Sequence, residues 1–378
     1  MILKELHIVN FKNIEEGALV FNSGFNCFIG KNGVGKTNVL DAIYQLSMCK
    51  SCFNLPDVQN IRHNEPFFVL QGKYERQSEL VEVYCGVKRG EKKVFKKNQK
   101  IYSKLSEHIG LLPLVMVSPE DLILIDGGSD ERRKLMDGII SQCDRNYLHQ
   151  LIRYNKALQQ RNALLKTAAG KSLDFEMLEI WNEQLAESGT LILERRICFL
   201  EEFRPVFQSY YSQLSLGREE VELEYKSSVG SEDFLAALHR SVERDRILNY
   251  TTVGIHRDDW VLNVGGYLIR KLGSQGQKKT YLIALKLAQY AWLMKMSKVK
   301  PLLLLDDIFD KLDSDRVEQI VNIVRGEQFG QVFITDTNRE HMDEILENQK
   351  VDFRLFLVER GEIQLLDERK AQDFRNVL

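Results

Sequence analysis

Eight consecutive residues have the types and spacing to hold a polyphosphate. Gly30-Lys31-Asn32-Gly33-Val34-Gly35-Lys36-Thr37 fits the pattern G-x-x-x-x-G-K-S/T. Glycines in such a loop accept positive φ and let backbone N–H groups close around phosphate oxygens. Lys36 would reach the β- and γ-phosphates, and the Thr37 hydroxyl would ligate Mg²⁺. The loop needs a strand before it and a helix after it. Phe25 to Ile29 reads as a short buried strand, and Thr37 to Tyr44 reads as a helix whose N-terminus would add its dipole. A chance glycine-rich turn would carry neither flank. The loop implies a nucleoside triphosphate, not the purpose it serves.

Two further groups of candidates lie far downstream. Leu302 to Leu305 lead into Asp306-Asp307, a buried strand delivering acids to a sheet edge. Asp306 would hold Mg²⁺ through water, and Asp307 would orient or deprotonate the attacking water. A strand ending in acids by chance is the alternative, and the loop upstream disfavours it. Leu272-Gly273-Ser274-Gln275-Gly276-Gln277-Lys278-Lys279 opens a long helix, Gln277 to Met296. A Ser hydroxyl and N–H groups at a helix N-terminus bind an anion. Ser and Gly are also ordinary helix-start residues.

Apolar periodicity supplies the elements that would position these groups. Ile2 to Val9 alternates as an opening strand does. Phe67 to Tyr74 and Glu79 to Val87 read as paired strands, and Leu112 to Val117 as a buried strand stopped by Ser118-Pro119. Residues 88 to 100 form a basic hairpin candidate holding Lys92, Lys93, Lys96 and Lys97. From Glu131 to Leu216 strand signals almost vanish. Asn146 to Thr167 and Leu173 to Phe203 carry apolar residues at three- and four-residue spacing, with Asp144 as a cap and Gly170 in the break. That predicts an antiparallel helix pair. Glu220 to Tyr225 returns to strand and Asp233 to Arg244 to helix. Gly265-Gly266 joins Trp260–Val264 to Tyr267–Lys271 as a hairpin. Pro301 to Leu305, Gln331 to Thr335 and Phe353 to Val358 look like core strands. The pattern predicts an α/β nucleotide domain, residues 1–118 and 289–378, split by a mainly helical lobe, 119–288.

With 378 residues, 44% hydrophobic and 28% charged, the chain has an ordinary globular composition. A net charge of −2 means that any nucleic-acid surface is a local patch. No apolar run reaches membrane-spanning length and the N-terminus carries no signal-peptide pattern, which points to the cytoplasm. Cys49 and Cys52 form a lone C-x-x-C without further ligands nearby, and read as ordinary thiols.

The order of phosphate loop, Ser274 segment and acid-ended strand resembles that of the ABC-type ATPases. There the serine segment is the signature that holds the γ-phosphate bound by a second subunit, a role that would fall to Ser274, Gly276 and Gln277. Asp310-Lys311-Leu312-Asp313 resembles the D-loop, with Ser314 as the next helix cap. Asn10-Phe11-Lys12-Asn13 resembles the start of the chromosome- and repair-associated branch. The fuller likeness is to the RecF family of recombination mediators. It rests on Gly30 to Thr37, Ser118-Pro119-Glu120, Gly127-Gly128 with Arg132-Arg133-Lys134 and Asp137, Gln160-Arg161-Asn162, Gly254-Ile255-His256-Arg257-Asp258-Asp259, Gly276 to Lys278, and Leu305-Asp306-Asp307 with Leu312-Asp313. Departures are Gly273, where that family usually has Leu, and the lack of the transporter-type switch histidine after Gln331 to Thr335. Thr335 or Asp336 stands where a sensor would. The run at 254–259 reads as structural support.

The resemblance implies an ABC-type head, a mixed sheet with flanking helices, plus a compact helical arm. It implies a weak, DNA-stimulated ATPase with ATP and Mg²⁺, an ATP-dependent homodimer that closes on double-stranded or gapped DNA, and work with RecR, RecO and RecA at stalled forks. Lys92, Lys93, Lys96 and Lys97 would neutralise phosphates, with a solvated hairpin as the alternative. Arg132, Arg133 and Lys134 are a second candidate set, early in a helix where their charge does not suit the dipole, which favours an external partner. Rival readings are a transporter's nucleotide-binding subunit, an architectural chromosome protein, which would need long heptad arms, and an ATPase with an added nuclease domain, for which the tail after residue 358 leaves no room.

Overall fold

The computed structural model describes residues 1–53, 55–169, 172–308, 314–337 and 352–369. In chain order the first elements are β1 (Ile2–Phe11), β2 (Ile14–Val20), β3 (Phe25–Ile29), α1 (Lys36–Met48), β4 (Phe67–Arg76), β5 (Glu79–Lys88), β6 (Val94–Lys97), β7 (Lys100–Ile101) and β8 (Leu114–Val117). Next come α2 (Ile123–Asp126), α3 (Ser129–Ser141), α4 (Arg145–Thr167), α5 (Phe175–Ser215), β9 (Val221–Lys226), α6 (Phe234–Leu248), β10 (Asp259–Val264), β11 (Tyr267–Leu268), α7 (Ile269–Leu272) and α8 (Gln275–Ser297). The last are β12 (Leu302–Asp306), α9 (Ser314–Val324), β13 (Val332–Asp336), β14 (Phe353–Glu359) and β15 (Glu362–Arg369). The chain divides into two compact units, Met1–Glu120 with Gln289–Leu378, and Asp121–Ala288. No helix among the described residues is long and apolar enough to cross a membrane.

The first unit contains two sheets. One is antiparallel in the order β2-β1-β4-β5-β6-β7. The other runs β15-β14-β3-β13-β12-β8, with β14, β3, β13, β12 and β8 parallel and β15 antiparallel at the edge. Strands β3, β8, β12 and β13 are buried on both faces, which is why Leu302–Leu305 is an unbroken apolar run and Phe25–Ile29 is interrupted only by Asn26, itself hydrogen-bonded to Asn22. Helix α1 touches β1, β4 and β5 of the first sheet and β8, β12 and β13 of the second. Its Val39, Leu40, Ile43 and Leu46 enter an apolar core that also holds Phe28, Phe333 and Phe356. Strands β2 and β15 escape the periodicity because they are sheet edges. Their sequences, IEEGALV and EIQLLDER, are half polar, and an edge strand buries little.

The second unit is mainly helical, with the sheet β11-β10-β9. Asp144 accepts from the Tyr147 N–H at 2.9 Å and so caps α4. Arg161 meets Asn182 and Tyr147 meets Arg196, so α4 and α5 run antiparallel. The apolar spacing predicts an end to α5 near Phe203, but it continues to Ser215 through Pro205. Phe207, Tyr211 and Leu214 extend the buried stripe, and Pro205 lies on the exposed side where the carbonyl it orphans can meet water. The expected second hairpin strand is also shorter: β11 is two residues long, and the chain turns helical at Ile269.

Candidate nucleotide site

All five residues of β3 are buried, and they deliver the chain to Gly30 at the end of a parallel strand. Gly35 has φ 117°, and a Cβ there would lie 2.6 Å from Asn13 Oδ1. Asn13 is the reason for that tight approach. Its Nδ2 donates to the Val34 carbonyl at 2.7 Å, and its Oδ1 accepts from Asn38 at 2.7 Å. The Gly361 N–H donates to the same Val34 carbonyl at 3.0 Å. The loop is thus held from outside by the Asn-Phe-Lys-Asn turn and by the turn between β14 and β15. Lys36 is buried and donates to the Gly30 and Lys31 carbonyls at 2.9 and 3.2 Å.

Thr37 and Asp306 are 269 positions apart, yet Thr37 Oγ1 donates to Asp306 Oδ1 at 2.9 Å. Thr335, fully buried on β13, donates to the same oxygen at 2.8 Å and accepts from the Asp307 N–H at 2.9 Å. One hydroxyl therefore fixes the Asp306 carboxylate and the Asp307 backbone. Burial raises the Asp306 pKa above the ordinary carboxylate range, against the pull of the two hydroxyls. Asp307 has φ 44°, a left-handed conformation that Asp tolerates better than most residues. One turn along α1 from Thr37, buried Asp41 takes the Lys12 ammonium at 2.7 Å and the Ser51 hydroxyl at 2.8 Å. Lys12 also stands 4.1 Å from the centre of the Phe53 ring. A cavity of about 1100 Å³ opens from Thr37, Asn38 and Asp306, bounded by Ser118, Pro119 and Glu120 and by Phe53, Val58 and Ile61.

This geometry suits a metal–triphosphate. Hard oxygen donors meet at Thr37 and Asp306, the Asp306 carboxyl is buried beside hydroxyls, and the cavity starts at that pair. The sequence pointed to Thr335 as one of two sensor candidates, and its bonds to both acids appear only in three dimensions. It missed the brace by Asn13 and the Lys12–Asp41 clip. The F-K-N turn and an acid one helical turn after Thr37 were the available signals.

Other candidates lie elsewhere. Ser274 Oγ accepts from the Gln277 N–H at 3.2 Å, and Gln277 Oε1 accepts from the Ser274 N–H at 2.7 Å, a reciprocal cap on α8. Gln277 Nε2 donates to Glu219 at 2.6 Å, so both ends of its amide are engaged within its own unit. Ser274 itself is exposed. The D-loop candidate, residues 310–313, falls outside the described residues, as does the side chain of Ser314.

The candidate DNA contacts need correction. Arg132 is buried and clamps Asp259 with two bonds of 2.8 and 3.0 Å, while its Nη1 donates to the Leu124 and Gly127 carbonyls. Arg133 donates to the Asp258 carbonyl and to Asp130. Neither faces a ligand from outside. Lys93 pairs with Asp57 at 2.7 Å and donates to the Cys49 carbonyl at 2.7 Å. Lys92 is exposed, Lys97 is half-buried, and Lys96 lies 5.0 Å from the centre of the Tyr84 ring. Residues 88–100 are no single hairpin but two turns, β5 to β6 and β6 to β7. Burial pushes the Cys49 thiol up to about 12 and raises Cys52 as well, which keeps both unreactive.

Residues 2–362 match the family described as the RecF/RecN/SMC N terminal domain. The chain is 54% identical over 365 residues to the DNA replication and repair protein RecF of Phocaeicola vulgatus, covering 96% of this chain and 98% of that one. It is 53% identical over 371 residues to the protein of that name from Bacteroides fragilis, covering 98% and 100%. Among solved structures it is similar to the recombination mediator protein RecF bound to ATP in the RecFOR pathway, with TM-score 0.88, 32% identity and 97% of each chain covered. An Smc head domain from Pyrococcus furiosus, at 16% identity and TM-score 0.60 over 99% of this chain and 98% of that one, shares the fold.

Proposed function

This chain belongs to the RecF/RecN/SMC N-terminal domain family, and within it to the family of the DNA replication and repair protein RecF; from that premise we propose that it is an ATP-driven mediator of DNA repair whose two copies close over ATP and DNA. It is an ATPase of the ABC type, and ATP is the substrate that its loop holds. The observation that carries the proposal is the Thr37–Asp306 contact, which joins phosphate loop and acid-ended strand at the mouth of one cavity.

Lys36 exchanges the Gly30 and Lys31 carbonyls for β- and γ-phosphate oxygens. N–H groups of residues 33 to 37 close on the phosphates. Thr37 and Asp306 would hold Mg²⁺, which would supply charge neutralisation at the phosphates. Asp307 orients the attacking water, and Thr335 keeps the Asp306 carboxyl and the Asp307 backbone in place. The wall of Phe53, Val58 and Ile61 offers an apolar face to the nucleobase.

Ser274 and Gly276 receive the γ-phosphate held by a second copy. The Ser274 oxygen accepts the Gln277 N–H, which leaves its own proton to donate, and Gln277 holds the turn. ATP binding closes the dimer on duplex or gapped DNA, slow hydrolysis reopens it, and the protein acts in the cytoplasm with RecR and RecO to favour loading of RecA. Lys92, Lys96 and Lys97 are available to phosphates on the first unit.

Light scattering with and without ATP and Mg²⁺ tests this. The expected result is a dimer with ATP that Ser274→Arg abolishes while monomeric nucleotide binding persists. A monomer under every condition overturns the clamp.

A further inference from the structure

Helix α4 spans 23 residues without a single Asp or Glu, in a chain that has 54 of them among 378 residues. Its antiparallel neighbour α5 carries Glu176, Glu179, Glu183, Glu187, Glu194, Glu201 and Glu202. The first turn of a helix favours acids, yet α4 opens on Arg145 and has none there. An exposed helix that needed only solubility would mix signs and form i,i+4 pairs.

The cations of α4 divide by face. Arg161 is buried and bonded to Asp245, with Tyr147, Tyr154, Ala157 and Leu165 on the same side. Arg145, Lys156 and Lys166 are exposed, and helical spacing puts them with His149, Gln159 and Gln160 on the opposite side. Arg153, at the margin, pairs with Glu187.

We infer that this exposed face of α4 docks the sugar-phosphate backbone of duplex DNA. The inference rests on the DNA-binding reading above and names the surface. Lys, Arg and Gln side chains bond phosphate oxygens without regard to sequence. Arg145 and Lys166 lie about 31 Å apart along the helix axis at 1.5 Å per residue, close to one turn of B-DNA at roughly 34 Å. A single strand would want aromatic platforms, and the aromatic residues of α4, Tyr147 and Tyr154, are buried.

The test uses the full-length protein with ATP and a fluorescent duplex, titrated across a range of salt. The triple variant Arg145→Gln/Lys156→Gln/Lys166→Gln binds about tenfold or more weakly, equally for unrelated sequences. Its log–log salt slope falls by roughly two to three, near 0.9 for each phosphate that is no longer neutralised. Its ATP binding and its helical circular dichroism are unchanged, which together report that both units are folded. Lys156→Glu alone, at an exposed position, moves both quantities the same way by a smaller amount. Neutralising Glu183, Glu194 and Glu201 on α5 does not lower the slope. An unchanged slope in the triple variant overturns the assignment, as does a weakening confined to single strands. A wild-type protein that binds no duplex at any salt instead sinks the DNA-binding reading itself.

Discussion

Arg196 in the inserted unit and Lys36 in the nucleotide unit are almost equally hidden from water, at 1% and 3% exposure, yet they keep different company. Arg196 clamps the Asp137 carboxylate through Nε and Nη2, and its Nη1 reaches the Tyr225 hydroxyl and the Ile255 carbonyl. Arg161 does the same with Asp245, Asn182 and Thr251. Among the described residues Lys36 hydrogen-bonds only to carbonyl oxygens, with the Asp306 carboxylate near enough to attract it, and Asp306 takes its bonds from two hydroxyls. The contrast separates two uses of buried charge. A charge met by its opposite holds a fold, and a charge met by neutral dipoles is poised for a ligand. It also explains why the Gly-Ile-His-Arg-Asp-Asp run belongs with the scaffold. His256 bonds Tyr154 and the Thr251 carbonyl, Asp258 takes Tyr225 and the Ser228 N–H, and Asp259 takes Arg132.

The sharpest way to break this contrast is to remove one charge from each unit. Arg196→Leu strands Asp137 and lowers stability by about 3–5 kcal/mol in urea unfolding. Lys36→Ala leaves stability within about 1 kcal/mol, while ATP hydrolysis falls roughly 10²-fold or more. Equal loss of stability in the two variants would erase the distinction. A smaller effect is expected at Thr335. Thr335→Val keeps the side-chain shape but removes the donor to Asp306 and the acceptor of the Asp307 N–H. It lowers kcat about tenfold to a hundredfold with little change in KM for ATP, and Thr335→Ser restores most of it. A KM effect alone would make Thr335 a packing residue.

Acid offers the mildest probe. Burial pushes His256 and His108, one in each unit, down to about 4. Each is therefore neutral when folded and titrates near 6.5 when unfolded. Their stability contribution is whole above pH 6.5 and is lost as pH falls from 6.5 towards 4, by about 2 kcal/mol each between pH 7 and pH 5. Asp306 has the opposite sign, since its raised pKa makes the ionised form costly above that pKa and lower pH relieves it. Urea midpoints measured from pH 7 to pH 5 give the slope. His256→Asn and His108→Asn should each flatten it, and a flat wild-type profile would contradict the assignment.

The strand into the phosphate loop was legible because Phe25 to Ile29 has no face turned to water, and Leu302 to Leu305 likewise. The long helices were legible from apolar spacing, and only the passage through Pro205 defeated it. What could not be read was partnership at a distance. Arg132 looks like an unpaired cation in sequence, because Asp259 lies 127 positions on. Lys93 misleads in the same way until Asp57 is found beside it. Edge strands β2 and β15 were missed because half-polar strands carry little periodic signal.

The bond from Gly361 to the Val34 carbonyl has a consequence for biosynthesis. Asp121–Ala288 is one unbroken stretch, so that unit emerges whole from the ribosome before β12 does. The phosphate loop, although among the first residues translated, gains Asp306, then Thr335, and last the brace from Gly361 only as the end of the chain emerges. A nascent chain therefore carries a finished helical unit on an unfinished nucleotide pocket. Premature termination anywhere before Gly361 yields a protein whose loop is present in sequence and incomplete in space.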